Sequence, residues 1–268
     1  MADDILVSSD EEYGDSSSED ERPSMSEIPD TLTYRFPKEI MVFDGDKIVD
    51  SHLHDGERNL QIYLKRCSDK LCAFASFGNT RLCCLLNTPV NEADIEDFEA
   101  GVSVKVSGAP YVSETSLRDL IKYIIPSSVM DRTFLQVRFI VYSDSGAVVP
   151  VALMTAMFAL TATAIEVKGL VTAVTVLTDP DGNLTIDPSK EMEQKARDRI
   201  PGYAYVTAMK VMKDDHVRWF DMEGLSKATN LRAAFKKASE SASLQYPQMA
   251  KMVQQLTERG KNVEGMLG

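Results

Sequence analysis

The chain has little of what would mark a disulfide scaffold, a zinc protein or a basic nucleic-acid binder. Among 268 residues there are four cysteines, three histidines and one tryptophan. Cys67 and Cys72 have no second ligand pair at zinc-finger spacing, and Cys83 and Cys84 are adjacent, so on a strand they face opposite sides. No metal site is expected; buried free thiols in a reducing compartment are. His52, His54 and His216 have no recognisable catalytic partners in the sequence, and Trp219 is expected to pack rather than stack on a base. The chain lacks an apolar, positively flanked start of the kind that directs secretion. The longest uncharged stretch, 21 residues from Ser145 to Ile165, contains Pro150, Thr155, Thr161 and Thr163. It follows an alternating strand after a short turn, so it is read as a buried helix and not a membrane span.

Basic charge is also scarce, at 29 Lys plus Arg against 41 Asp plus Glu. The imbalance is local. Residues 1–22 hold nine acids and one base, so the remainder is nearly balanced. Residues 1–30 are expected to be a disordered acidic tail. Ser8, Ser9, Ser16, Ser17 and Ser18 each precede an acid within three residues and are candidate phosphoacceptors. The folded body is assigned to 31–262, with 263–268 a flexible C-terminus.

Within the body, Asp44-Gly45-Asp46 predicts a hairpin turn. Residues 60–65, 71–77, 80–86 and 102–106 read as strands. Residues 116–125 read as a helix capped by Ser116 and ended by Pro126. Residues 134–142 alternate as a strand, a helix runs from Pro150 to about 163, and 170–177 is a strand. This strand–helix–strand order predicts a βαβ unit. Asp179-Pro180-Asp181-Gly182 is a turn into 183–187, and 203–211 with 217–220 is a second hairpin. Two amphipathic helices end the chain, broken at Tyr246-Pro247. The architecture is α+β with two βαβ-type halves and C-terminal helices.

The turn from strand to apolar helix, Ser143 to Pro150, is the place to look for an anion site, because a helix start offers free N–H groups. It contains no Arg, Lys or Thr. Its N–H groups are expected to be available except at Pro150, without a charge to complement them.

Phe77-Gly78-Asn79-Thr80-Arg81-Leu82-Cys83-Cys84 resembles the first-half strand–turn–strand signature of the RNase PH fold, the ribosomal protein S5 domain 2-like architecture. Asp131-Arg132-Thr133, the Ser-Asp-Ser-Gly turn, Gly169 to Val176 and Ile186-Asp187-Pro188 followed by Glu191 continue the resemblance in order over residues 57–258. Within that family the chain is most similar to the RNase PH-like ring subunits of the eukaryotic RNA exosome. Active members carry Gly-Gly-Thr-Arg at the turn, with Thr and Arg gripping phosphate. Here the matching residues are Ser145, Gly146, Ala147 and Val148, a degenerate phosphate site. No catalytic residue, metal or cofactor is assigned.

The resemblance implies a non-catalytic subunit of a hexameric ring of RNase PH-like proteins. Its partners would be S1/KH cap proteins, an associated nuclease and single-stranded RNA threading the channel, with no membrane. Its locations would be nucleus, nucleolus and cytoplasm, and its processes rRNA maturation and RNA turnover. Arg81, Arg118, Lys122 and Arg132 are candidate RNA-channel contacts. The alternative is an active exoribonuclease, phosphorolytic or metal-dependent hydrolytic, using Glu191, Glu193 and Asp198. A third reading is a non-RNA binding module whose acidic tail recruits a basic partner.

Overall fold

In a computed structural model of the chain, the structure describes residues 47–52, 59–67, 70–87, 101–130, 134–163, 165–211 and 216–266. The acidic tail with its serines, the turn at 44–46, His54 and Arg132 lie outside the described residues.

The first sheet begins with four antiparallel strands: β1 (Lys47–His52), β2 (Asn59–Cys67), β3 (Lys70–Phe77) and β4 (Thr80–Asn87). Gly78, at φ 58°, turns β3 into β4 so tightly that Phe77 and Thr80 are paired. β5 (Gly101–Ser107) then leads through helix α1 (Glu114–Ile124) and the short α2 (Ser127–Met130) to β6 (Phe134–Ser143). β6 pairs antiparallel with β4 and parallel with β5, giving the order β1-β2-β3-β4-β6-β5. The cap of α1 is Ser113, whose hydroxyl accepts from the Ser116 N–H at 3.2 Å, so the helix starts earlier than the expected Ser116 cap.

Helix α3 (Val148–Ala162) leaves β6 and ends before β7 (Val171–Thr178). β7 does not return to the first sheet. It belongs to a second, antiparallel sheet in the order β10-β9-β7-β8, with β8 (Leu184–Ile186), β9 (Ala204–Val211) and β10 (Trp219–Gly224). The βαβ unit expected around α3 is therefore corrected: the parallel crossover is β5–α1–β6, and α3 bridges two sheets. Periodicity cannot say which sheet a strand will join.

α3 packs on β3 and β4 from one side and on β7 from the other. This accounts for its composition, since every residue from Val151 to Leu160 is buried. It is a core helix. Among the described residues no helix is long and apolar enough to cross a membrane. It also starts at Val148, so Pro150 is its third residue; the missing N–H still falls among those that lack an intrahelical partner.

Helix α4 (Lys190–Arg197) follows β8, and α5 (Ala228–Met266) closes the chain. α5 is one helix with Pro247 inside it, not two. Proline removes one backbone hydrogen bond, and burial on both sides of it holds the helix together. Ala234, Ala238 and Ala242 pack with Val174, Val176, Val206 and Ala208 of the second sheet, whereas Met249 and Met252 join the larger core around α3. α5 runs to Met266. Cys72, Cys83 and Cys84 are buried, and burial raises the Cys84 thiol far above its ordinary pKa.

Candidate functional site

The β6–α3 turn is held from two directions. Thr80, the first residue of β4, is fully buried beneath it. Its hydroxyl donates to the Gly146 carbonyl at 2.7 Å, lies 3.0 Å from the Ser145 hydroxyl and accepts from the Ser145 N–H at 3.0 Å. From the other side, α4 enters the loop: the Lys190 N–H donates to the Ser145 carbonyl at 3.0 Å. Gly146 has φ 104°, and a Cβ there would lie 2.2 Å from the Pro188 carbonyl oxygen. Only glycine satisfies both the conformation and the close approach. The two motifs of the sequence resemblance, around residues 80 and 145, thus meet in space.

The N–H groups of Ser145, Gly146 and Ala147, in the turn before α3, are not available as expected. The Gly146 N–H donates to Asp144 Oδ1 at 3.0 Å, and the Ala147 N–H donates to Glu193 Oε1 at 2.7 Å. Ala147 occupies the cap position in a left-handed conformation, φ 57° and ψ 30°, and its own side chain cannot cap. A carboxylate from another helix binds the cap residue's own N–H instead. Chemically this is an anion site already filled by the protein's own anions.

Both carboxylates are anchored. Glu193 Oε2 accepts from Arg197 Nη1 at 3.1 Å within α4. The Arg197 guanidinium lies 4.0 Å from the centre of the Tyr111 ring. The Tyr111 hydroxyl donates to Asp144 Oδ2 at 2.8 Å, and Lys190 Nζ pairs with the same oxygen at 3.0 Å. Burial raises the Glu193 pKa more than the Ala147 N–H and Arg197 lower it. At Asp144 burial also acts upward, but the Gly146 N–H, the Tyr111 hydroxyl and Lys190 together hold the carboxyl below its ordinary value. Tyr111 is pushed up by burial and by its bond to Asp144.

A cleft of about 90 Å³ opens beside this network, between α1, the start of α3 and the second sheet. Tyr111, Leu117, Pro150, Thr207, Trp219 and Asp221 are among its walls. Trp219 is half-buried and packs against the large core, as its sequence context predicted.

The three carboxylates of the nuclease alternative do not converge. Glu193 is buried and committed to Ala147 and Arg197, whereas Glu191 is exposed. The Glu191 carboxyl is lowered chiefly by its hydrogen bond with Ser189. Asp198, at the end of α4, accepts from Gln194 Nε2 at 2.7 Å. Among the described residues no cluster of three His, Cys, Asp or Glu side chains has metal-site geometry.

Ser145, Gly146, Ala147 and Val148 sit together at the turn, the last three buried. Of the cationic candidates, Arg81, Arg118 and Lys122 lie among the described residues. Arg81 follows Thr80 on β4, exposed, with its backbone paired to Ser143. Arg118 and Lys122 share the outward side of α1, one turn apart, and Arg118 pairs with neighbouring Asp119 at 3.4 Å. Tyr111, Asp144 and Arg197 were not singled out by the sequence. The spacing of Glu193 and Arg197, a salt-bridging i,i+4 pair on a short helix, was the one local signal.

No family model matches the chain. A comparison of the fold is more informative. The crystal structure of Rrp46 from rice (Oryza sativa) superposes with a TM-score of 0.62 at 15% sequence identity, covering 75% of this chain and 96% of the rice protein. The chain has the fold of rice Rrp46. At this identity the likeness is one of fold, and it carries the resemblance read from the sequence to the level of three-dimensional structure.

Proposed function

We propose that the chain is a non-catalytic structural subunit of an RNA exosome core ring. It would stand beside other RNase PH-like subunits, beneath S1/KH caps, and guide single-stranded RNA to a separate nuclease during rRNA maturation and RNA turnover in nucleus, nucleolus and cytoplasm. The shared fold with rice Rrp46 supports the ring context. One contact carries the non-catalytic part: the Glu193 carboxylate accepts the Ala147 N–H at 2.7 Å.

A phosphorolytic enzyme must place inorganic phosphate where charge develops, against donors free to receive it. Here Ala147 and Val148 offer no hydroxyl or guanidinium. The Gly146 and Ala147 N–H groups are held by Asp144 and Glu193, which would repel a phosphate approaching the same atoms. Adding the missing cation alone, as in Val148→Arg, leaves both carboxylates in place and is expected not to create phosphorolysis.

The test has two parts. A tagged chain is recovered from native extract at moderate salt and its companions are identified by mass spectrometry. The purified chain is then incubated with RNA, with and without inorganic phosphate and divalent metal. Recovery with RNase PH-like and S1/KH proteins, and no decay by the chain alone, is the expected result. A homo-oligomer that degrades RNA would overturn the proposal and return attention to Glu191, Glu193 and Asp198.

A further inference from the structure

β10 is the outermost strand of the second sheet, bonded on one side to β9, and no strand among the described residues pairs with its other side. In an antiparallel ladder the amides alternate in direction. The Leu225 N–H donates to the Tyr203 carbonyl at 2.9 Å, so Asp221 and Glu223, in step with it, turn their amides toward β9. Phe220 and Met222 turn theirs to the open edge. The Met222 N–H is accordingly outside the ladder and donates to Asp221 Oδ1 at 2.9 Å.

The side chains of β10 alternate as well. Trp219, Asp221 and Glu223 line the cleft beside α1. Phe220 and Met222 occupy the other face, 56% and 50% exposed, and Phe220 meets Phe235 of α5 edge-on at 5.3 Å. Asp221 and Glu223 form no ion pair among the described residues; Glu223 accepts only the Tyr205 hydroxyl. Exposed Arg218 and Lys227 bound this acidic stretch at either end. Proteins normally blunt such an edge with lysine, proline or a covering element. β10 carries large apolar groups on one face and, on the other, carboxylates without an ion pair among the described residues.

The geometry points to β10 as a docking edge for an extended segment of a partner protein that alternates basic and apolar side chains. The segment adds a fifth strand and takes up the outward amides of Phe220 and Met222. Its Lys or Arg side chains stand opposite Asp221 and Glu223, and its apolar ones cover Phe220 and Met222. An acidic segment would set like charges opposite each other, which is unfavourable.

The test uses the full-length chain and fluorescent ten-residue peptides read by anisotropy. One peptide alternates Arg with Val and another alternates Glu with Val. Two further Arg–Val peptides carry backbone N-methyl groups, on every Arg in one and on every Val in the other. A strand turns only alternate amides toward its neighbour, so one N-methyl series abolishes binding and the other retains it. The Glu–Val peptide and the double variant Asp221→Lys, Glu223→Lys each weaken binding by about tenfold or more. Both positions are exposed, and circular dichroism checks that the variant is folded. Equal behaviour of the two N-methyl series would overturn the proposal, as would undiminished binding by the variant, which would locate the peptide on other acids such as those of residues 1–22. No binding of the Arg–Val peptide, or self-association of the chain that this peptide cannot compete, would overturn it too, the latter assigning the edge to a second copy.

Discussion

The β6–α3 turn concentrates demands on single residues. At Gly146 any side chain meets both a positive φ and the Pro188 carbonyl oxygen 2.2 Å away. Gly146→Ala is expected to lose about 2–4 kcal/mol of stability in urea denaturation, combining backbone strain with overpacking. The two carboxylates at the turn should respond to pH in opposite directions. The folded state lowers Asp144, so its contribution is present above the ordinary carboxyl pKa of about 4 and is lost as pH falls below it. The folded state raises Glu193, so its contribution is full at low pH and declines as pH rises from its ordinary value toward the raised one. Urea midpoints measured across pH should show Asp144→Asn losing less stability on acidification than the parent. Glu193→Gln should lack the parent's decline above about pH 4.5. The sequence marked this turn as the place to look, but Asp144 and Glu193 are 49 positions apart, and only the fold reveals that they hold the neighbouring N–H groups of Gly146 and Ala147.

Element by element, legibility followed burial pattern. β6 alternates and α3 is apolar throughout, so both were readable with small errors at their ends. β10 was shifted: it is Trp219–Gly224, because its Asp221 and Glu223 do not look like strand residues, yet the ladder with β9 continues through them. The C-terminal break was wrong because a proline's local cost was set against no knowledge of two separate cores on either side of it. α5 approaches the second sheet along Ala234, Ala238 and Ala242, spaced four apart and fully buried. Ala238→Leu should force helix and sheet apart and cost about 1–3 kcal/mol by chemical denaturation. Ala→Leu at a surface position of the same helix, such as Ala233, should change stability by about 0.5 kcal/mol or less.

Across the whole chain, the two sheets share one helix. α3 contributes to the cluster that includes strands of the first sheet, Val171 and Ala173 of β7 and Met209 of β9. Unfolding should therefore be a single event. Trp219 fluorescence, reporting the second sheet, and far-ultraviolet circular dichroism, reporting all helices and strands, should give coincident denaturation curves. Separate midpoints would mean that the sheets are independent modules.

The placement of α3 also has a consequence for synthesis. When a ribosome has released residues as far as 165, the first sheet can cover only one side of this helix. Its other side waits for β7, which ends at Thr178, and for α5, which begins at Ala228. With chain growth at about 5–20 residues per second, the half-made protein spends seconds with a wholly apolar helix partly naked. During that interval it is a client for whatever shields nascent chains, and slow codons between 165 and 228 would lengthen its exposure.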